Sequence, residues 1–315
     1  MSLDCENPDE SPAAPEILGP PPAAAEPTAA LPARPRVWTV FTVFLIAEIV
    51  NVFAVVIVEI GLIMIMHGPD GLNPRRIEKS IEEVMASTPG FLGMLVASQL
   101  VFIVAAVVPA ALSLVPMDER LAIRPSGAGP SKFLIAFAGT LAIGLIFDGL
   151  SGLRVIPESP ALNLLSDFIS GLSVPGFVLA VLAIGLLPGL GEELLFRGYI
   201  QTRLSRRWGP TVGVIVASAL FGLMHLDVVQ GTFAFFLGMY LGHLTQRSGS
   251  IRPAMFCHAA NNSVACAMAY AGWEDPGFST SVAFLVVSPV VLLASLVLYG
   301  RPQARVGGEL AGLEA

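Results

Sequence analysis

Cysteine is scarce and poorly placed for a scaffold. Cys5, Cys257 and Cys266 form an odd, widely spaced set without a CxxC pair, which excludes a disulfide framework and a cysteine zinc site. Cys257 stands beside His258, where a small apolar core residue is the simpler reading than a ligand. No HExxH stretch occurs, the motif that would place two metal ligands one turn apart on one helix. Charge is equally thin. Only 13% of the residues are charged, against about 25% in a soluble domain. Acids outnumber bases 24 to 17, which argues against a nucleic-acid partner. The opening residues lack a basic stretch followed by a short apolar core and a small-residue cleavage site, so the first apolar run is expected to remain as an uncleaved span.

What is abundant is apolar surface. Hydrophobic residues make up 54% of the 315-residue chain and the mean hydropathy is +0.75, the composition of a polytopic membrane protein. A helix needs about 20 apolar residues to cross the hydrocarbon layer. Eight runs approach that length, at residues 38–66, 90–115, 133–153, 174–197, 211–226, 231–246, 251–272 and 279–299. An all-α transmembrane bundle of about eight spans is therefore expected, with the fifth and sixth joined in a tight helical hairpin. Residues 1–36 hold nine prolines, six acids and two arginines with almost no large apolar side chains, and are expected to form a disordered acidic tail. The membrane domain should span residues 37–300, with a motif core at 174–272, and residues 301–315 a short cytoplasmic tail. Placing both termini in the cytoplasm puts 13 lysines and arginines inside and four outside, Arg75, Arg76, Lys79 and Arg154. That bias favours this orientation, with the plasma (inner) membrane as the expected location. Three of the exceptions lie where Ile77, Ile81, Val84 and Met85 share one helical face, the pattern of a short amphipathic surface helix. Gly238 and Gly242, four residues apart, would let neighbouring helices approach closely.

Against this background, Glu192, Glu193 and Arg197 are anomalous. They close the fourth apolar run, and a charged side chain at mid-membrane costs about 2.5 to 3.5 kcal/mol. On a helix, Glu193 and Arg197 lie one turn apart and can neutralise each other, while Glu192 points about 100° away. Glu192 is thus left with no partner in its own helix, as befits a group that accepts and releases protons. Pro188, Gly189 and Gly191 interrupt the helix just before the acids and would admit water. Phe221 and His225 close the fifth run, and His258 and Asn262 share one face of the seventh. Three helices could therefore converge, bringing a carboxylate base, two imidazoles and an amide donor for an oxyanion to one point. His243 and His67 read as boundary histidines. Glu48, Asn51 and Glu59 in the first run and Asp148 in the third read first as structural pairing within the bundle.

Glu192-Glu193-x-x-x-Arg197, Phe221-x-x-x-His225 and His258-x-x-x-Asn262, in this order on successive apolar segments, resemble the three motifs of the CAAX protease and bacteriocin-processing (ABI) family. That family of intramembrane endopeptidases includes the type II CAAX prenyl endopeptidases. The resemblance covers roughly residues 174–272. It implies an active site recessed in the membrane and open to the cytoplasm, acting on a peptide or protein substrate that is membrane-associated or lipidated. By motif, Glu192 would activate water, His225 and His258 would be catalytic or ligating, Asn262 would help form the oxyanion pocket, and Glu193 with Arg197 would organise the site. Two chemistries stay open: a glutamate-activated water without metal, and a zinc ion on Glu192, His225 and His258. Two other function classes stand beside the protease. One is an ion-coupled transporter relaying charge through Glu48, Glu59 and the 192–197 cluster, although no inverted repeat supports it. The other is a catalytically idle protein that binds a partner, for instance in peptide immunity. The residues do not indicate the substrate or the oligomeric state.

Overall fold

The computed structural model describes residues 36–273 and 276–300, and these contain eleven helices and no strand. The expected disordered tail, apart from Arg36, and the expected C-terminal tail lie outside the described residues. In chain order the helices are α1 (Trp38–His67), α2 (Ile77–Ala86), α3 (Thr88–Ala111), α4 (Met117–Arg120), α5 (Pro130–Gly152) and α6 (Pro160–Ser170). They continue with α7 (Val174–Trp208), α8 (Pro210–Leu223), α9 (Val228–Ser248), α10 (Arg252–Tyr270) and α11 (Phe278–Gly300).

Local chemistry sets these boundaries. Prolines at the first or second position begin six of the helices, at Pro89, Pro130, Pro160, Pro175, Pro210 and Pro253, where the missing N–H would have no helical partner anyway. Ser87, Ser159, Ser173 and Asp227 cap α3, α6, α7 and α9 by accepting a backbone N–H with their side chains. Gly209 (φ 90°) ends α7 and Gly249 (φ 67°) ends α9, both in conformations that L side chains avoid.

Five helices are long and apolar enough to cross a membrane: α1, α3, α5, α7 and α11. The other three expected spans fall short for different reasons. Helix α8 is apolar but has 14 residues, about 21 Å at 1.5 Å per residue against a hydrocarbon core of about 30 Å. Helices α9 and α10 have the length but carry too much polarity, such as Thr245 and Gln246 on α9 and His258, Asn261 and Asn262 on α10. The expected amphipathic helix is α2, which buries Ser80 and Val84 against the α1–α3 pair while Ile77 and Met85 stay exposed. His67 at the end of α1 meets Glu83 of α2 at 3.2 Å. Helix α6 has no counterpart among the long apolar runs.

The core falls into three apolar clusters, and α7 contributes to two of them, through Ala180 to Ile184 at one end and Leu194 to Leu204 at the other. Its acidic turn lies between the two. The third cluster joins α5, α9, α10 and α11, and Cys257 is packed within it, as its apolar reading requires. The hairpin of α8 and α9 is backbone-to-backbone: a Cβ on Gly222 would lie 2.6 Å from the Gly231 carbonyl oxygen. We therefore expect Gly222→Ala to lower thermal stability in detergent by about 1–3 kcal/mol through overpacking. Gly61→Ala, where an added methyl meets nothing within 4 Å, should be neutral or stabilising by up to about 1 kcal/mol. Equal melting shifts for the two variants would contradict this packing.

Candidate active site

The acidic turn is held between two departures from α geometry. Residues Val181–Leu186 and Leu194–Gln201 of α7 are π-helical, on either side of the α-helical turn Leu187–Glu193. Such widened turns are frequent at functional sites, because they re-aim side chains without breaking the helix. Pro188 cannot donate to the carbonyl four residues earlier, that of Ile184. The Asn262 amide of α10 supplies a donor to that oxygen, at 3.2 Å. Gly189 and Gly191 serve close approach: added Cβ atoms would lie 2.7 Å from the Ala259 Cβ of α10 and 2.7 Å from Gln99 Oε1 of α3. These two glycines bring the neighbouring helices against the acids.

Glu193 and Arg197 form a buried ion pair, with relative side-chain exposures of 0% and 1% and Arg197 Nη1 donating to Glu193 Oε1 at 2.5 Å. The one-turn spacing does what the sequence implied, and tertiary contacts complete the arrangement. The guanidinium lies 4.3 Å from the ring centroid of Phe221 on α8, a cation–π contact that is stronger where water is excluded. A Cβ on Gly238 would lie 3.0 Å from Arg197 Nη2, and one on Gly242 would lie 2.7 Å from Gln201 Oε1. The glycine pair thus makes room on α9 for the long polar side chains of α7.

His258 ties α10 to both acids. Its Nδ1 is 2.8 Å from Glu193 Oε1, and its Nε2 is 3.7 Å from Glu192 Oε2. A carboxylate paired with arginine only accepts, so the imidazole donates from Nδ1 and turns Nε2 toward Glu192. Glu192 is also buried, and its Oε1 accepts from Gln99 Nε2 at 2.9 Å. The two carboxylates therefore differ as their spacing suggested. Glu193 is locked into an ion pair, whereas Glu192 has one oxygen held by a neutral amide and the other facing an imidazole.

His225 joins through Phe221. Its Nδ1 is 2.9 Å from the Phe221 carbonyl oxygen, and the Phe221 ring packs edge-on to both imidazoles, with centroids 5.2 Å from His225 and 5.7 Å from His258. A carbonyl also only accepts, so His225 donates from Nδ1 and leaves Nε2 outside that bond. The next residue, Leu226, has φ 54°, an uncommon left-handed conformation for leucine that turns the chain sharply after the histidine. The structure thus brings Glu192, Glu193, Arg197 and His258 into direct contact, reaches His225 through Phe221, and ties Asn262 to the α7 backbone. Among the described residues, no three His, Cys, Asp or Glu side chains are gathered so as to hold a metal ion. The donor set as arranged therefore does not fit zinc.

Two participants were not identified as such. Gln99 is 4% exposed and bonds directly to Glu192. Its signal was a strongly polar side chain midway along an apolar helix, with no motif to mark it. Glu48 of α1, read first as structural, interacts electrostatically with Glu192, and its Oε1 is buried with no hydrogen-bond partner among the described residues.

Several apolar helices long enough to cross a bilayer support an integral membrane protein, and the bundle buries a carboxylate–imidazole cluster. Residues 174–264, from the start of α7 to the middle of α10, match the family model described as type II CAAX prenyl endopeptidase Rce1-like. This agrees with the CAAX protease family that the motifs resemble, and it supports a CAAX-type endopeptidase acting on a peptide or protein substrate in a membrane environment. No curated protein matches the chain, and no solved structure matches it.

Arg197→Met should destabilise the protein by about 3–5 kcal/mol, because it leaves Glu193 as a buried unpaired charge. Adding Glu193→Gln to that variant should recover part of the loss. Thermal unfolding in micelles checks this, and a double variant less stable than Arg197→Met alone would contradict it.

Proposed function

We propose that the chain is an intramembrane endopeptidase in which Glu192 activates a water molecule held between its Oε2 and His258 Nε2. The observation that carries this reading is the buried contact of Glu192 with Gln99 on one side and His258 on the other, beside an ion pair that neutralises the second glutamate. The 3.7 Å between Oε2 and Nε2 is too long for a direct hydrogen bond. A water at hydrogen-bond distance from both atoms would have its proton directed at the carboxylate.

In the proposed reaction Glu192 takes a proton from this water as the oxygen attacks the scissile carbonyl carbon. The resulting oxyanion accepts from the Asn262 amide hydrogen not used on Ile184, and from His225 in its protonated form. Collapse breaks the C–N bond, and Glu192 returns the proton to the leaving nitrogen. General-base catalysis of this kind contributes about 10²–10⁴ in rate, and an oxyanion donor about 10²–10³. Glu193 and Arg197 fix the Nδ1–H form of His258 without touching the substrate. The substrate is a membrane-associated peptide or protein, with lipidated C-terminal segments the first class to try. The active site opens toward the cytoplasm, with both chain termini on that side of the plasma membrane.

Glu192→Gln should reduce cleavage by at least about 10²-fold while the purified protein keeps its helical content and melting profile. Gln99→Leu, which removes the amide from Oε1, should reduce it by about tenfold. The assay compares terminal peptides of membrane proteins from cells carrying the native or variant chain. Unchanged cleavage in folded Glu192→Gln protein would overturn the proposal.

A further inference from the structure

A second buried cation, Arg203, lies one and a half turns beyond Arg197 on α7, and its surroundings differ in kind. Arg203 is 7% exposed. Its Nη1 donates to the Tyr199 hydroxyl at 2.6 Å and to Thr39 Oγ1 at 3.1 Å, and its guanidinium lies 4.0 Å from the Tyr199 ring centroid. These partners are all neutral. Its Nε is buried without a hydrogen-bond partner, and no carboxylate among the described residues pairs with it. By contrast Arg197 has Glu193, Arg124 has Asp118 and Glu119, and Arg206 has Glu119. Arg120 and Arg206 lie close enough to add their positive fields to that of Arg203. A buried guanidinium in a membrane bundle calls for a counter-charge, and none of the described residues supplies one here.

Arg203 also lines an open cleft of about 300 Å³ between α1, α3 and α7, whose other walls include Trp38, Thr42, Val43, Pro109 and Leu112. The cleft lies where α1 begins and α3 ends, at the boundary end of both spans. Trp38 and Leu112 are 61% and 83% exposed, so its apolar rim opens outward from the bundle. Phe41 and Trp208 pack together at the same end, with ring centroids 6.3 Å apart. Aromatic residues at the ends of spans sit at the headgroup level of a bilayer. A ligand matching this cleft therefore has an anionic group for Arg203 and an apolar chain for the rim.

We propose that the Arg203 cleft binds an anionic phospholipid, with the headgroup phosphate against the guanidinium and an acyl chain along Val43, Pro109 and Leu112. A phosphate oxygen seated at the inner end of the cleft would form a charge-assisted hydrogen bond with the guanidinium. A zwitterionic headgroup would bring its own cation against Arg203, Arg120 and Arg206 and would bind less well. The site is separate from the Glu192 cluster and does not depend on proteolysis.

The test is native mass spectrometry of the full-length, delipidated protein titrated with phosphatidylglycerol or with phosphatidylcholine of the same acyl chains. Phosphatidylglycerol should bind about tenfold more tightly, the effect of one charge-assisted contact. Arg203→Met should bring the two lipids to equal affinity. Thr42→Trp, which fills the cleft and leaves both hydrogen bonds of Arg203 intact, should weaken phosphatidylglycerol binding, and it decides the matter alone if the first variant does not fold. Excess inorganic phosphate should leave lipid binding unchanged. Equal binding of the two lipids by the native chain, or undiminished phosphatidylglycerol binding by Thr42→Trp, would overturn the proposal. So would displacement of the lipid by inorganic phosphate, which would identify a site for the free ion.

Discussion

The arrangement depends on the ion pair between Glu193 and Arg197. Two adjacent carboxylates could not be placed together in an apolar bundle without compensation, because the desolvation of each charge outweighs what neighbouring leucines contribute. Arg197 removes one of the two charges locally, and Phe221 covers the guanidinium with its ring face. The neutralised Glu193 then serves as a fixed acceptor for His258 Nδ1, which orients the imidazole. Glu192 is the carboxylate left with an oxygen that no cation holds. The difference between the neighbouring glutamates is therefore a consequence of one arginine a turn away.

That chemistry requires α7 to have helices pressed against it on several sides. Glycines make this possible: Gly189 admits α10, Gly191 admits α3, and Gly238 on α9 leaves space for Arg197. Each lies where a methyl group would collide with a neighbour. The π-helical stretches on either side of the acidic turn add to this, by shifting the phase of α7 so that its polar side chains meet different helices. At the far end of α7 the same logic is only partly applied, since Arg203 is buried against neutral hydroxyls and faces an open apolar cleft.

Much of this was legible from residue spacing. The Glu193–Arg197 contact follows from a one-turn interval on a helix, and the shared face of His258 and Asn262 correctly places both against α7, one on Glu193 and the other on Ile184. The apolar runs located each long helix to within a few residues, with α7 continuing past its expected end to Trp208. The rest required three-dimensional information. Gln99 carries no motif, and its bond to Glu192 spans 93 residues of sequence. Helix α6 has eleven residues and only its Ser159-Pro160 start as a signal. The count of eight spans rested on apolar runs alone, whereas α9 and α10 spend part of their surface on polar groups that face inward. Phe221 belonged to a motif without an evident role, which the guanidinium beneath it now explains.

The account's central claim is that Glu192 and His258 act on one water as a unit. A double-mutant cycle on cleavage, comparing Glu192→Gln, His258→Ala and the pair in folded protein, tests it most directly. Groups that act together are grossly non-additive, so the double variant should be about as inactive as the worse single variant. Losses that multiply would show the two side chains working independently and would contradict the shared site.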